Sequence, residues 1–226
     1  LTIQGEYNDA KKISYEGKDY NEETVDVFSC STATLKTEAY QDVLRLLNFY
    51  RKLAGLPSDV KNDEQLNAGC YLAAKYSSRT GSLSHSVNEI FKDVCDFNSD
   101  ANWKLISDYL KNSNLAQGEQ HVIEMISGLM DDEGENNEGH VGHRRWFLYP
   151  YLTKIGIGYY PLSKHQFDSY YVQYPPSGVF NVINENYNTN EYTAINFIAW
   201  PPAGPFPLER LPSSWSIYYK EFQKDG

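Results

Sequence analysis

The sequence predicts an α+β fold in which helices cover an antiparallel sheet. Helical periodicity dominates the chain up to about residue 130, whereas the later segments are rich in β-branched and aromatic residues bounded by Pro, Gly, Ser and Asn. No helical pattern separates the later strands, so a doubly wound parallel sheet is disfavoured. A chain of 226 residues accommodates one main core.

Hydrophobic periodicity predicts three helices in the first part of the chain. The first spans Thr37 to Gly55, and a Gly-Leu-Pro turn ends its pattern. The second runs from about Asp63 to Ser78 and carries a stripe of small and medium side chains, and the third runs from about Glu119 to Met130. A weaker pattern indicates a further short helix over residues 102–110.

Strands are predicted in four later segments: Thr153 to Tyr159, Phe167 to Tyr174, Thr193 to Trp200 and Ser214 to Tyr219. We expect the first and third of these to lie in the central antiparallel sheet. Residues 1–36 are polar and hold no helical period for more than one turn, which predicts an extended leader or a strand pair.

Composition and motifs exclude several classes of function. The 30 acidic residues outnumber the 20 lysines and arginines, which gives a net charge of −10, and no basic stripe forms, so we expect no nucleic-acid partner. No apolar run is long enough for a transmembrane segment. The sequence also lacks a G-x-S-x-G elbow, a phosphate-binding glycine loop, a dinucleotide fingerprint and a thiol-protease motif.

The three cysteines cannot all pair within the chain, which excludes a cystine framework and leaves the compartment open. Cys70 lies on the apolar stripe of the second predicted helix, so we expect a buried, reduced thiol. If Cys30 and Cys95 pair at all, we expect them to pair with each other.

Histidines are the candidate chemical groups. His85 follows the second predicted helix in a Ser-rich loop, where a lone histidine is more often a solvated side chain than a ligand. His140 and His143 form an H-x-x-H, but its two glycines argue against a preformed helix, and the H-E-x-x-H spacing of metalloproteases is absent. The acidic run at 131–138 predicts a solvated loop or a weak calcium site, unless one carboxylate orients an imidazole.

Four ordered segments carry family-like motifs: Asn-Phe-Tyr-Arg with Gly-Leu-Pro in 46–57, an Ala-rich stretch closing on Leu-Ser-His in 66–86, Asn-Leu-Ala-Gln-Gly in 114–118, and Gly-His-Arg-Arg-Trp-Phe-Leu-Tyr-Pro followed by Ile-Gly-Ile-Gly in 142–158. Together they resemble the CAP superfamily of cysteine-rich secretory proteins, insect venom antigen 5 and plant pathogenesis-related proteins, in its bacterial form. The resemblance implies an α-β-α sandwich with a central antiparallel sheet flanked by helices, and a secreted or cell-surface location.

The resemblance also implies a set of site residues, because the family's open cleft carries two histidines and two acidic residues. His85 and His143 match the two histidines. Asp132 is the best match for one acid, with Asp131 as the fallback. These matches make His85, Asp132 and His143 the candidate catalytic or binding residues.

One acidic position departs from the family pattern. The second acid normally stands directly before Asn-Leu-Ala, where this chain has Ser113. The acid is either missing or replaced from elsewhere, for example by Glu119. A two-carboxylate acid–base scheme is therefore weakened, since Ser does not transfer protons near neutral pH as Glu does.

Metal binding is less affected by that departure. Two neutral imidazoles, His85 and His143, plus water or a ligand oxygen can hold Zn²⁺ or another divalent metal in an open site, with Asp132 as an outer hydrogen-bond acceptor. Affinity from two histidines alone is expected to be weak. We expect His140 to lie outside the first coordination shell.

The favoured function is a secreted CAP domain whose cleft binds a divalent metal or a small ligand, with a small molecule, a lipid or an extracellular protein as its partner. One alternative is a Zn-dependent hydrolase, a peptidase or esterase, in which Asp132 orients the attacking water. Another is a structural or adhesive module of a longer surface protein. The expected organisation is a polar N-terminal extension (1–36), the CAP domain (37–200) and a Pro-rich C-terminal extension (201–226) that packs on the domain or leads to a further one.

Overall fold

The computed structural model describes residues 2–21, 25–30, 33–92, 94–134, 137–184 and 195–219. The described residues form six α-helices: α1 Ile3–Ala10, α2 Thr37–Leu53, α3 Glu64–Thr80, α4 Asp100–Lys111, α5 Val122–Asp131 and α6 Gly142–Phe147. They also form eight strands: β1 Lys61–Asn62, β2 Ser113–Gln117, β3 Lys154–Tyr160, β4 Ser163–Phe167, β5 Tyr170–Tyr174, β6 Ser177–Asn181, β7 Phe197–Trp200 and β8 Ser216–Tyr219. No helix in these ranges is long and apolar enough to cross a membrane.

The central sheet has four strands in the order β1-β3-β6-β2. β6 pairs antiparallel with both β3 and β2, whereas the two-residue β1 runs parallel to β3. The predicted antiparallel sheet is therefore a mixed sheet with a short parallel edge. Its three long strands have the predicted antiparallel arrangement.

Helices cover both faces of this sheet, so the predicted α-β-α sandwich is confirmed. Ile155 and Ile157 of β3 pack in a core cluster with α1, α2, α5 and α6. Tyr160 of the same strand and Val179 of β6 belong to a second cluster with α3 and α4. The two clusters lie on opposite faces because side chains alternate along a strand.

Glycines let α3 approach β3 closely. A Cβ atom added at Gly158 would lie 2.1 Å from the carbonyl carbon of Cys70, and one at Gly156 would lie 2.5 Å from Cβ of Leu66. In the Ile-Gly-Ile-Gly motif, the isoleucine side chains therefore point to one helical layer. The glycines, which have no side chain, lie against α3 in the other layer.

The helices predicted from periodicity are confirmed as α2, α3 and α5, and the 102–110 pattern is confirmed as α4. Asp63 caps α3 by accepting a hydrogen bond from the Gln65 amide, and Gly81 ends the same helix in the left-handed conformation at φ 65°. Both ends of α3 are therefore determined locally.

Two of the strand predictions need correction. The segment Phe167 to Tyr174 is not one strand: a turn at residues 168–169 separates Phe167, the last residue of β4, from β5, and these two strands pair antiparallel. β7 does not join the central sheet as predicted but pairs with β8 in a separate two-stranded sheet. Residues 193 and 194, the start of that prediction, lie outside the described residues.

The N-terminal segment begins with a helix, not with the predicted extended leader or strand pair. Thr2 caps α1 by accepting a hydrogen bond from the Gly5 amide, and Tyr7 is buried against Phe49 and Tyr50 of α2. Packing on α2 stabilises a helix that is too short to form alone. Residues 3–10 thus belong to the main core.

The cysteine prediction is confirmed. Cys30 and Cys95 form a disulfide with their Cα atoms 5.5 Å apart, and Cys70 is a buried free thiol. Burial raises the pKa of the Cys70 thiol well above its ordinary value, because a thiolate would lose its hydration there.

Candidate functional site

Asp132 lies at the junction between α5 and α6. It ends α5 in the left-handed conformation at φ 54°, and its side chain is fully buried. Its Oδ1 accepts a hydrogen bond from Nδ1 of His143 at 2.7 Å, and its Oδ2 accepts from the Arg144 amide at 3.1 Å. One carboxylate therefore orients the His143 ring and satisfies an amide in the first turn of α6.

His143 lies in a short helix, contrary to the expectation from the two glycines. Gly142 opens α6, and the Asp132 carboxylate compensates for weak helix propensity by binding at the helix start. Arg144 is buried and donates to the carbonyls of Met130 and Asp131 at the end of α5, at 2.6 Å each. Desolvation lowers the pKa of Arg144, while the charges of Asp132 and Asp131 oppose that shift.

Strand β2 fixes His143 from the other side. Asn114 is buried, and its Nδ2 donates to the His143 carbonyl oxygen at 2.9 Å. The Asn-Leu-Ala motif thus lies in a strand, and its asparagine holds the α6 start in place. His143 is thus restrained through both its ring and its main chain, while its side chain keeps 22% exposure.

His85 lies in the exposed loop after α3, where its Nδ1 is 2.6 Å from the Leu110 carbonyl oxygen in the last turn of α4. A carbonyl oxygen only accepts, so Nδ1 must carry the proton and Nε2 of the neutral ring keeps its lone pair. The same tautomer follows for His143, whose Nδ1 faces the Asp132 carboxylate. Both rings therefore present Nε2 as the available base or ligand.

One stretch of chain holds both histidines. Leu110 binds the His85 ring and Asn114 binds the His143 main chain. Ser113, at the place of the missing acid, lies between Leu110 and Asn114 in the sequence. It is buried, and its Oγ accepts a hydrogen bond from Nδ2 of Asn181 at 3.4 Å. The serine is thus part of the sheet's internal hydrogen bonding.

Among the described residues, no hydrogen bond or ion pair joins Asp131 or Glu119, the two substitute acids, to a histidine. Glu119 is exposed and lies two residues beyond the end of β2, whereas Ser113 is the first residue of that strand. Asp131 directs its carboxylate to Arg210. Burial raises the pKa of Asp131, and the neighbouring Arg210 opposes that shift.

The donor set suits an open metal site with few protein ligands. Both oxygens of Asp132 are already bonded, so Asp132 fits an outer position. Among the described residues, neither His85 nor His143 belongs to a cluster of three possible ligand atoms. The cluster that does occur there contains Cys30, Cys95 and Asp96, and its sulfurs are bonded to each other. The two imidazoles could hold an ion that completes its shell with water.

The remaining histidines differ in their surroundings. His121 and His165 donate through Nδ1 to Asp19 at 2.6 Å and Asp26 at 2.8 Å. Sequence reasoning missed both pairs because their members lie 102 and 139 positions apart, with no local motif. The exposed His140 ring has no hydrogen-bond partner within the described part of the chain.

The comparisons with known proteins identify the family. The model of the cysteine-rich secretory protein family (CAP) matches residues 44–174, more than half of the chain. A comparison with curated proteins found no match. The matched range contains His85, Asp132, His143 and most of the three-layer core. The chain therefore belongs to the CAP family, whose domains are typically extracellular and act in binding or interaction.

Proposed function

We propose that this protein is an exported CAP domain in which His85 and His143 together bind a divalent metal ion, or a small ligand in its place. The pair of fixed Nδ1 contacts carries the proposal: His85 to the Leu110 carbonyl at 2.6 Å and His143 to Asp132 at 2.7 Å. Both contacts leave Nε2 as the free nitrogen, and neutral imidazole is a common ligand of Zn²⁺.

The roles of the chain's residues follow from these contacts. When bound, a divalent ion supplies a Lewis acid with open positions for water or a ligand oxygen. Asp132 would orient the His143 ring from outside the coordination shell, and Asn114 keeps the helix start in place. Two protein ligands imply weak affinity and a site that readily accepts an external ligand.

The disulfide supports export of the domain. Cys30 and Cys95 are bonded, and disulfides persist in oxidising compartments but are rare in the cytosol. A secreted or cell-surface location suits a partner that is a small molecule, a lipid or an extracellular protein.

Calorimetric titration of the intact chain with Zn²⁺ tests the proposal. Wild type should bind one ion, His85→Ala and His143→Ala should each lose at least tenfold in affinity, and His140→Ala should bind as wild type does. If the first two variants bind normally while His140→Ala does not, the site is assigned to the wrong histidines. If wild type binds no zinc, the domain is a metal-free interaction module.

The Asp132–His143 contact also favours a second candidate, a Zn-dependent hydrolase in which His85 and His143 would hold the ion and Asp132 would orient the attacking water, because it brings a carboxylate beside a ligand histidine. The buried Ser113 argues against it, since it supplies no second acid. Assays on casein, simple esters and peptidoglycan with added Zn²⁺ separate the two. Turnover that disappears in His143→Ala supports the hydrolase, and zinc uptake without turnover supports binding alone.

A further inference from the structure

One of the cavities in the structure is not lined by the proposed metal ligands. It has a volume of about 480 Å³ and lies between the segment 138–150 and the sheet of β7 and β8. None of His85, Asp132 and His143 lines it. Both strands lie beyond the range that the family model matches.

Aromatic side chains dominate the cavity. Trp146, Trp200 and Trp215, three of the four tryptophans in the chain, line it. Trp200 is buried, whereas Trp215 is 76% exposed and stands at the margin. The solvent-exposed indole of Trp215 beside a concave pocket offers a flat apolar surface on which a ring-shaped ligand can stack.

The charges around the cavity select against ionic ligands. The Arg145 guanidinium lies 5.9 Å from the Trp146 ring centre, so this ring already has a cation and a cationic ligand would be repelled. Arg144 also lines the cavity, but it is buried and its guanidinium donates to main-chain carbonyls of α5. The exposed charges there, Arg145 and Glu138, are opposite in sign and favour a ligand without net charge. A wholly apolar ligand would cover Glu138 and His140 without giving them hydrogen bonds, which is costly.

A neutral ligand with apolar faces and many hydroxyl groups satisfies all of these conditions. We propose that this cavity binds a short neutral saccharide, with a sugar ring stacked on Trp215 and its hydroxyls bonded to Glu138 and His140. A neutral histidine ring such as that of His140 can donate with one nitrogen and accept with the other, and the carboxylate accepts. The cavity volume of about 480 Å³ lies within the range of pockets that hold small organic ligands. This inference does not depend on the proposed metal site.

Tryptophan fluorescence and calorimetry on the intact chain test the proposal, with cellotriose, maltotriose and chitotriose as probes. At least one trisaccharide should change the fluorescence saturably, and Trp215→Ala should weaken its binding at least tenfold. Trp215 is exposed, so this variant should keep the circular dichroism spectrum of the wild type. Trp103→Phe, which alters a tryptophan in the opposite layer, should bind as wild type does.

Three results would overturn the proposal. No saturable change with any of the three trisaccharides removes the saccharide assignment. Undiminished binding by Trp215→Ala shows that the sugar binds elsewhere. Binding of choline or of palmitate, tested in parallel, in the absence of sugar binding shows that the ligand is cationic or apolar instead.

Discussion

Asp132 combines an unusual backbone conformation with two polar contacts. Its φ of 54° is one that Asp tolerates better than most residues, and this conformation places the carboxylate under the first turn of α6. Family resemblance was sufficient to predict that Asp132 lies near His143. The partner of His85 was not predictable, because it is the main-chain carbonyl of Leu110, which no side-chain pattern marks.

Asp132→Asn should impair both stability and metal binding. The Asn side chain has the size of Asp and also tolerates the left-handed backbone conformation. Its NH₂ group, however, must face either Nδ1 of the His143 ring or the main-chain N–H of Arg144, both of which are donors. We expect a loss of about 1–3 kcal/mol in the free energy of unfolding and a 10- to 100-fold loss in Zn²⁺ affinity. Urea unfolding and calorimetry measure the two effects.

Asp131→Asn is the matched control for that variant, because the Asp131 carboxylate contacts Arg210 and neither histidine. Its Zn²⁺ affinity should equal that of wild type. Equal zinc affinity in wild type and Asp132→Asn would show that the carboxylate does not orient His143 for metal binding.

Cys70 should resist thiol reagents in the native protein even in mild alkali. Burial raises the pKa of this thiol, so the reactive thiolate does not form as pH rises toward 9. Without reductant, we expect no labelling before denaturation and one labelled thiol after it. The exposed Ser82→Cys variant should label within seconds to minutes, and comparable native labelling of Cys70 would contradict its burial.

At the scale of elements, the sequence predicts what is periodic and misses what is determined by distant partners. α2, α3 and α5 have apolar stripes and local stop signals. β6 has no such pattern. All five of its residues are buried, and it lies between β3 and β2, so polar and apolar residues do not alternate along it. α6 escapes prediction for a different reason: the Asp132 carboxylate that supports it comes from ten residues before the helix.

The contact between α3 and β3 leads to a prediction for the glycine motif. In Gly158→Ala the new methyl group would meet the backbone of Cys70, so helix and strand must separate. We expect a loss of about 3 kcal/mol or more in the free energy of unfolding. Gly128→Ala, in an exposed helical position with no atom within 4 Å, should instead gain about 0.5–1 kcal/mol. Chemical denaturation of both variants checks the difference, and equal stabilities would contradict the close packing.

On the scale of the whole molecule, long-range contacts tie the two ends of the chain to the sandwich. Glu6 of α1 pairs with Lys52 of α2, and Lys11 pairs with Glu209 near the C-terminal end. The polar composition of residues 1–36 predicted an extended leader. The helix was missed because the residues that α1 contacts are remote in sequence. The domain boundaries expected at 36 and 200 remain predictions.

The Lys11–Glu209 contact should make stability depend on pH. The hydrogen bond from Lys11 lowers the pKa of Glu209 below its ordinary value of 4.5. A lowered folded-state pKa stabilises the protein above the unfolded-state value, and the effect disappears as pH falls through the folded-state pKa. Glu209→Gln should therefore lower the melting temperature slightly at pH 7 and not at pH 3, with the exposed Glu16→Gln as a control. A difference that persists at pH 3 would exclude ionisation as the cause.

The disulfide should account for a large part of the global stability. It joins residues 65 positions apart, and the chain-entropy estimate for such a loop is about 4 kcal/mol at 25 °C. The Cys30→Ala/Cys95→Ala double variant should lose stability of this order, as measured by urea unfolding. Cys70→Ala in the same assay separates the loss of a bond from the loss of a buried thiol. A double variant as stable as wild type would contradict the structural role.

Diffraction from a crystal soaked in Zn²⁺ and measured at the zinc absorption edge will show whether His85 and His143 form one metal site. We expect one anomalous peak that lies within about 2.1 Å of Nε2 of both His85 and His143, with Asp132 on Nδ1 of His143 as in the structure. A peak on His140 or His121 alone, or no peak beside His85 and His143, would contradict it.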